Sequence, residues 1–260
     1  MGLVPTMGAL HQGHMALVST ARAECRRVVA SIFVNPKQFA PTEDLASYPR
    51  REVDDLEMLS AAGVDLTFIP AVDEIYPARF ATVVRVTGLT DALCGAHRPG
   101  HFDGVATVVT KLLILSLPDA AYFGEKDYQQ LIVVRRLARD LDIPVRIVGV
   151  PTVREPDGLA LSSRNAYLSP EQRSIAPHIA RVLRDVASAV ARRPTTVEIE
   201  LARGFDELQN AGLTVEYLEI RDAETMMAAT DEVIAPSRVF VAARLGRTRL
   251  IDNMPIALDA

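Results

Sequence analysis

The chain has 260 residues, 49% of them hydrophobic and 23% charged, with a net charge of −5 and two cysteines. That length buries a substantial core, enough for one large domain and a smaller one. With that acidic balance nothing suggests a broad nucleic-acid surface.

The arginines from Arg135 to Arg154 are dispersed and read as solvated faces. Cys25 and Cys94 form neither a zinc spacing nor a disulfide framework, so a reducing cytoplasm is expected. The longest apolar run, residues 105–117, contains Lys111 and is too short to span a bilayer, so no membrane partner is expected. The N-terminus shows no charged n-region followed by an apolar h-region, so no secretory leader is expected. Gly2 through Thr6 fits the myristoylation pattern, but Leu3 and Val4 read better as a strand.

Residues 3–5 read as the end of a strand. Residues 14–27 read as a helix, with Ala16, Leu17, Thr20 and Ala21 at helical spacing. Residues 28–34 form a nearly continuous apolar run, as in a buried parallel strand. A helix over 50–62 ends at Gly63, and a strand over 64–69 ends at Pro70. A buried helix over 105–117, a strand over 120–123, a helix over 127–141 and a strand over 145–150 follow. This rhythm predicts an α/β, Rossmann-like, doubly wound parallel sheet. After Asn165 the rhythm changes. Helices over 170–192 and 196–212 precede strands over 215–220, 239–245 and 249–252. The expected division is a catalytic domain over 1–165 and a smaller α+β lid domain over 166–260.

Five segments carry chemistry. The first is Pro5-Thr6-Met7-Gly8-Ala9-Leu10-His11-Gln12-Gly13-His14, between a strand and a helix. Ligands of open α/β sheets bind at the carboxyl ends of strands, where helix N-termini favour phosphate. Glycines at Gly8 and Gly13 permit close backbone approach. Two imidazoles three residues apart suit the growing oxygen charge of a phosphoryl-transfer transition state. An ordinary surface loop is the alternative. A zinc pair is disfavoured because no third ligand has sensible spacing.

The second segment, Phe123-Gly124-Glu125-Lys126-Asp127-Tyr128-Gln129-Gln130, also lies where a strand gives way to a helix. Lys126 and Gln130 are four apart and would share a helical face. Alone, it reads better as a solvated Glu-Lys-Asp turn. The third, Leu161-Ser162-Ser163-Arg164-Asn165, offers two hydroxyls and a guanidinium to an anion, but such a triplet alone is a weak signal, since it also occurs as a helix cap. The fourth, Arg98-Pro99-Gly100-His101-Phe102-Asp103-Gly104, is a polar loop before a buried helix. The fifth, Phe33-Val34-Asn35-Pro36-Lys37-Gln38-Phe39, puts amides just after a strand.

Taken jointly and in this order, the five segments resemble the pantoate–β-alanine ligase family of the His-x-Gly-His nucleotidyltransferase superfamily. The resemblance runs from Val4 to about Asn253. Members usually carry some twenty or more residues before the Val-Pro-Thr-Met-Gly stretch, so a preceding helix and the start of the first strand are expected beyond this sequence.

The resemblance implies that ATP and (R)-pantoate give pantoyl adenylate and pyrophosphate, and that β-alanine then expels AMP, yielding pantothenate for the coenzyme A pathway. It implies that His14, His11 and Lys126 are catalytic, with His14 the family's proton donor. It implies that Met7, Gly8, Ala9, Leu10, His11, Gln12, Gly13, His14, Gly124, Glu125, Lys126, Asp127, Val153, Leu161, Ser162, Ser163 and Arg164 line the ATP site. Gln38 and Gln130 would hold pantoate, with Gln38 also next to β-alanine, and His101 and Arg98 would shape the amine site. Magnesium (Mg2+) is expected on the ATP phosphates, and a cytoplasmic homodimer is expected. The metal ligands stay open, since Asp54 and Asp55 read either as neighbours of magnesium or as a solvated helix face. Two other functions remain in view: transfer of AMP to a phosphate acceptor, and nucleotide binding without catalysis.

Overall fold

The computed structural model describes residues 1–41, 43–230, 232–233 and 236–257. In chain order the elements are β1 (Gly2–Thr6), α1 (Gln12–Glu24), β2 (Val28–Ile32), α2 (Glu52–Ala61), β3 (Leu66–Phe68), α3 (Val72–Ile75), α4 (Cys94–His97), α5 (His101–Ser116), β4 (Ala120–Gly124), α6 (Tyr128–Asp140), β5 (Arg146–Val150), α7 (Pro170–Ile175), α8 (His178–Arg192), α9 (Val197–Asn210), β6 (Thr214–Asp222), β7 (Ser237–Leu245) and β8 (Thr248–Ile256).

The chain divides into two compact units. The first comprises Met1–Asp91 and Arg98–Val153, and the second Ala92–His97 and the chain from Arg154 onward. This differs from a boundary at 165. Arg154 forms a two-pronged ion pair with the buried carboxylate of Asp252 on β8, at 2.6 and 3.0 Å. Arg154 also bridges to Ala160. The segment 154–160 is thereby tied to the second unit's sheet. The short helix α4 likewise belongs to that unit, where the Cys94 thiol lies 3.2 Å from the Tyr217 hydroxyl.

The first unit is built on a five-stranded sheet in the order β3-β2-β1-β4-β5, with every pairing parallel. Strand β2 is buried throughout, which explains its unbroken apolar run. Val4, Val28, Ala30 and Ile32 pack against Leu17, Val18 and Ala21 of α1 and Leu59 of α2. The chain order reverses at β1, which has β2 on one side and β4 on the other. That switch point is where open α/β sheets place ligands. Three of the five sequence segments follow β1, β2 and β4 and so emerge on one carboxyl edge.

Several boundaries differ from sequence expectation for local reasons. Helix α1 starts at Gln12 because the His11 side chain caps it, accepting from the Gly13 amide at 3.1 Å. Helix α5 starts at His101, since Gly100 takes a left-handed φ of 80° and turns the chain into it.

The second unit carries an antiparallel sheet in the order β6-β7-β8. The single helix expected over 170–192 is two helices. Pro177 has no amide hydrogen and its ring crowds the preceding turn, so α7 stops and α8 restarts. Val182, Leu183, Val186 and Val190 of α8 then pack into a core with Val239 and Val241 of β7.

Candidate active site

The site starts from the backbone after β1. Gly8 has φ +79° and Ala9 has φ +50°, so two successive residues are left-handed. A side chain at Gly8 would put its Cβ 2.9 Å from Asp55 Oδ2. The bend turns the amides of Ala9 and Leu10 onto the Asp55 carboxylate, at 2.8 and 2.7 Å. Thr6 adds a brace: its hydroxyl donates to the Ser31 carbonyl at 2.7 Å and accepts from the Gly8 amide at 3.2 Å.

Both histidines are fixed by main-chain donors. The Gly13 amide donates to His11 Nδ1 at 3.1 Å, and the His11 amide donates to His14 Nδ1 at 3.2 Å. An N–H donor requires a lone pair on its acceptor, so each neutral ring carries its proton on Nε2. The rings lie 4.2 Å apart between centroids. Burial, aided by the Lys126 charge and opposed by Asp127, lowers the His11 pKa to about 4. Burial and the neighbouring His11 lower His14 to about 3. Two neutral Nε2–H donors thus sit at the N-terminus of α1, where an anion is favoured.

The turn after β2 holds Gln38. The Asn35 side chain is oriented by unambiguous partners. Its Oδ1 accepts from the Lys37 amide at 3.3 Å and from the Tyr76 hydroxyl at 2.7 Å, while its Nδ2 donates to the Gly104 carbonyl at 3.1 Å. Asn35 Nδ2 also donates to Gln38 Oε1 at 3.0 Å. Gln38 is therefore left with Nε2 as its donor, and this points at the Met7 sulfur 3.1 Å away. Asn35 and Gln38 are both buried.

The same turn is gripped from α5 and the loop before it. His101 Nδ1 donates to the Gln38 carbonyl at 2.8 Å, and its Nε2 accepts from Arg98 Nη1 at 3.0 Å. Burial and Arg98 lower the His101 pKa to about 4, which keeps the ring neutral. The Arg98 guanidinium also binds both oxygens of Glu43, at 2.6 and 2.7 Å. Gly104 lets the turn press on α5. A Cβ there would run into the Lys37 carbonyl and lie 2.7 Å from the Gln38 amide nitrogen.

After β4, Gly124 leads into a single 3₁₀ turn over Glu125–Asp127, and α6 starts at Tyr128. Lys126 lies on that tighter turn and Gln130 on the first turn of α6, so the two are not on one continuous helix. The Lys126 ammonium is 3.8 Å from the Asp127 carboxylate. Its charge reaches both His11 and His14. Val153 ends the first unit.

Leu161, Ser162, Ser163 and Arg164 belong to the second unit, where the Ser162 hydroxyl caps a 3₁₀ turn by accepting from the Arg164 amide at 3.3 Å. Among the described residues, no three His, Cys, Asp or Glu side chains gather as a metal site. Asp54 is exposed. Asp55 is buried, so it is not part of a solvated helix face.

Sequence reasoning missed the partners of these groups. Asp55, Tyr76 and Glu43 act on motif residues 46, 41 and 55 positions away in sequence. No local pattern marks such contacts.

A His-x-Gly-His turn at the switch point of a parallel sheet, flanked by an amide turn and a lysine turn, defines a nucleotide-using α/β enzyme. The chain matches the Pantoate-beta-alanine ligase family over residues 1–255, and it belongs to that family. It is 56% identical to a pantothenate synthetase of Paramagnetospirillum magneticum, covering 98% of this chain and 90% of the relative. Among solved structures, a pantothenate synthetase of Thermus thermophilus superposes with a TM-score of 0.93 at 54% identity, covering 97% of this chain and 92% of that one. A Francisella tularensis pantoate-beta-alanine ligase, complexed with beta-gamma ATP and beta-alanine, superposes with a TM-score of 0.82 at 36% identity, covering 97% and 88%.

Proposed function

We propose that the chain condenses (R)-pantoate with β-alanine at the expense of ATP, through an enzyme-bound pantoyl adenylate. Family membership supports the reaction. The observation that carries the site is the pair of neutral Nε2–H donors beside Lys126, with the Gln38 donor on the neighbouring turn.

A pantoate carboxylate oxygen attacks the α-phosphorus of ATP, the bond to pyrophosphate breaks, and the leaving oxygens take up charge. His11 and His14 meet that charge with fixed donors, which need no reorganisation as the reaction proceeds. Lys126 follows the departing pyrophosphate as a compact point charge. Gln38 and Gln130 hold pantoate. The neutral β-alanine amine then attacks the acyl carbon, AMP leaves with the electrons of the acyl–oxygen bond, and the nitrogen gives up one proton to solvent as the amide forms.

The same reading gives the nucleotide Met7 through His14, Gly124 through Asp127, Val153, Leu161, Ser162, Ser163 and Arg164. Arg98 and His101 shape the amine site from behind Gln38, since their polar atoms are taken by Glu43, by each other and by the Gln38 carbonyl. Magnesium would be carried on the ATP phosphates, whose charge it neutralises. We place the protein in the cytoplasm on the strength of its two free cysteines; among the described residues no helix is long and apolar enough to cross a membrane. A homodimer would cover the exposed Leu66 and Phe68 of β3, an edge strand.

The test is exchange of labelled pyrophosphate into ATP with and without pantoate. Pantoate-dependent exchange in the absence of β-alanine is expected. Exchange that requires β-alanine, or formation of ADP in place of AMP, would overturn the two-step scheme.

A further inference from the structure

Asp55 supplies no group to the reacting atoms, yet its geometry is unusual. It lies in the first turn of α2, is 2% exposed, and directs both carboxylate oxygens at main-chain amides of the His-x-Gly-His turn. Charge-assisted bonds of this kind are about twice as strong as neutral ones. The residues they hold are the left-handed Gly8–Ala9 pair, and a left-handed Ala is a costly conformation that persists only when its surroundings over-determine it.

Successive amides turned to one side make a concave anion site. Left open, the Ala9 and Leu10 amides would compete for a phosphate group. Asp55 already fills that place with a carboxylate.

We propose that Asp55 is a positioning residue for adenylation, an internal anion that fills the amide pair of the turn. The inference rests on the assignment of His11 and His14 to the phosphoryl-transfer step. Two consequences follow from the occupied amides. The bend between β1 and α1 is held in the form that presents both Nε2–H donors. The triphosphate is turned away from Ala9 and Leu10, by occupancy and by like charge, toward the imidazoles, Lys126 and the N-terminus of α1. Gly8 fits the same picture, because a Cβ there would collide with the carboxylate that makes the anchor.

The experiment compares wild type, Asp55→Ala and Asp55→Asn as full chains, with each half-reaction measured separately in single turnover. Asp55→Asn keeps the volume but turns an NH2 group onto one of the two amides, so it breaks the anchor without leaving a cavity. Displacement of a catalytic turn by about 1 Å costs on the order of 10²-fold, and a loss of that size is expected in pantoate-dependent pyrophosphate exchange at saturating ATP and magnesium.

Attack of β-alanine on preformed pantoyl adenylate is expected to stay nearly unchanged. Sodium formate, which can refill the amide pair, is expected to restore exchange in Asp55→Ala, whereas sodium chloride at the same ionic strength is not. Equal loss in both half-reactions without formate rescue would overturn the proposal in favour of a general structural role. A raised half-saturation for magnesium, with the rate recovered at high magnesium, would overturn it in favour of a metal ligand.

Hydrogen–deuterium exchange of the Ala9 and Leu10 amides keeps this test apart from the histidine assignment. Faster exchange in Asp55→Ala is expected whatever His14 does. Normal turnover in His14→Ala would sink the histidine reading without touching the anchor itself.

Discussion

Two turns leave adjacent parallel strands at the same edge of the sheet, and they are made rigid in opposite ways. The turn after β1 is held mainly through its backbone: left-handed residues, two amides on Asp55, and imidazoles fixed by their own helix. The turn after β2 is held through side chains, by Asn35, Tyr76, His101 and Arg98, and by direct backbone contact at Gly104. The difference follows from what each turn presents. The first offers donors to a charge that appears only in the transition state. The second offers one amide of defined polarity to a bound substrate. Mutations in the first should therefore lower the rate, and mutations in the second should weaken pantoate binding.

The largest effect is expected at His14. Removing one preorganised donor costs about 10²–10³ in rate, so His14→Ala should lose that much pyrophosphate exchange while ATP binding by calorimetry largely survives. Near-normal turnover in a folded His14→Ala protein would erase the contrast between the turns. Lys126→Ala sharpens the same side. It should slow adenylation strongly and spare the attack on preformed adenylate, because no pyrophosphate leaves in that second step. Lys126→Arg should rescue it poorly, since a planar guanidinium has a fixed donor geometry.

On the other turn, Gln38→Ala should cost ~1–3 kcal/mol of pantoate binding, read as a raised pantoate KM with the ATP KM little changed. Gln38→Glu is the sharper variant. It keeps an acceptor for Asn35 but replaces the Nε2–H donor with an oxygen, so it should bind pantoate no better than Gln38→Ala. A rise confined to the ATP KM would remove Gln38 from the pantoate site. Gly104→Ala should do both kinds of harm, by destabilising the first unit by about 1–3 kcal/mol of overpacking strain and by raising the pantoate KM. Thermal melting and steady-state titration on the same sample check the two together.

The sheet was legible in the sequence because buried parallel strands are apolar runs and the helices between them keep helical spacing. The segment after β1 stood out because glycines and histidines cluster where a strand ends, whereas those after β2 and β4 took on meaning only jointly with the others, through the family resemblance. The rest was hidden for two physical reasons. Pro177 splits a stretch whose apolar spacing continues across it, and that continuous spacing masks the break. The anchors Asp55, Tyr76 and Glu43 look like surface residues in their own neighbourhoods. Their meaning lies in partners that only folding brings close. Asp55 shows the limit well. As the second of two adjacent acids on an amphipathic helix it invited a metal or solvent reading, and burial decides against solvent.

The smallest expected effect separates neutral donors from proton-transferring ones. His11 and His14 have folded pKa values lowered to about 4 and about 3, chiefly by burial. Both are therefore neutral throughout the physiological range, and exchange should show no inflection near the ordinary histidine pKa of about 6.5. Stability responds differently. The unfolded rings titrate near that ordinary value while the folded rings resist, so between the two the unfolded state binds more protons. The contribution of neutral burial is complete above about pH 6.5. It is lost as pH falls through that value towards about 4 for His11 and about 3 for His14. His101, lowered to about 4, adds to the same slope from the other turn. Melting temperature measured downward from neutral pH should fall over this window, and His101→Asn should flatten the fall. A pH–rate profile for exchange that tracks a group near pH 6.5, and loses that feature in His14→Ala, would show that His14 moves a proton during adenylation. The turn after β1 would then work by acid chemistry rather than by fixed neutral donors.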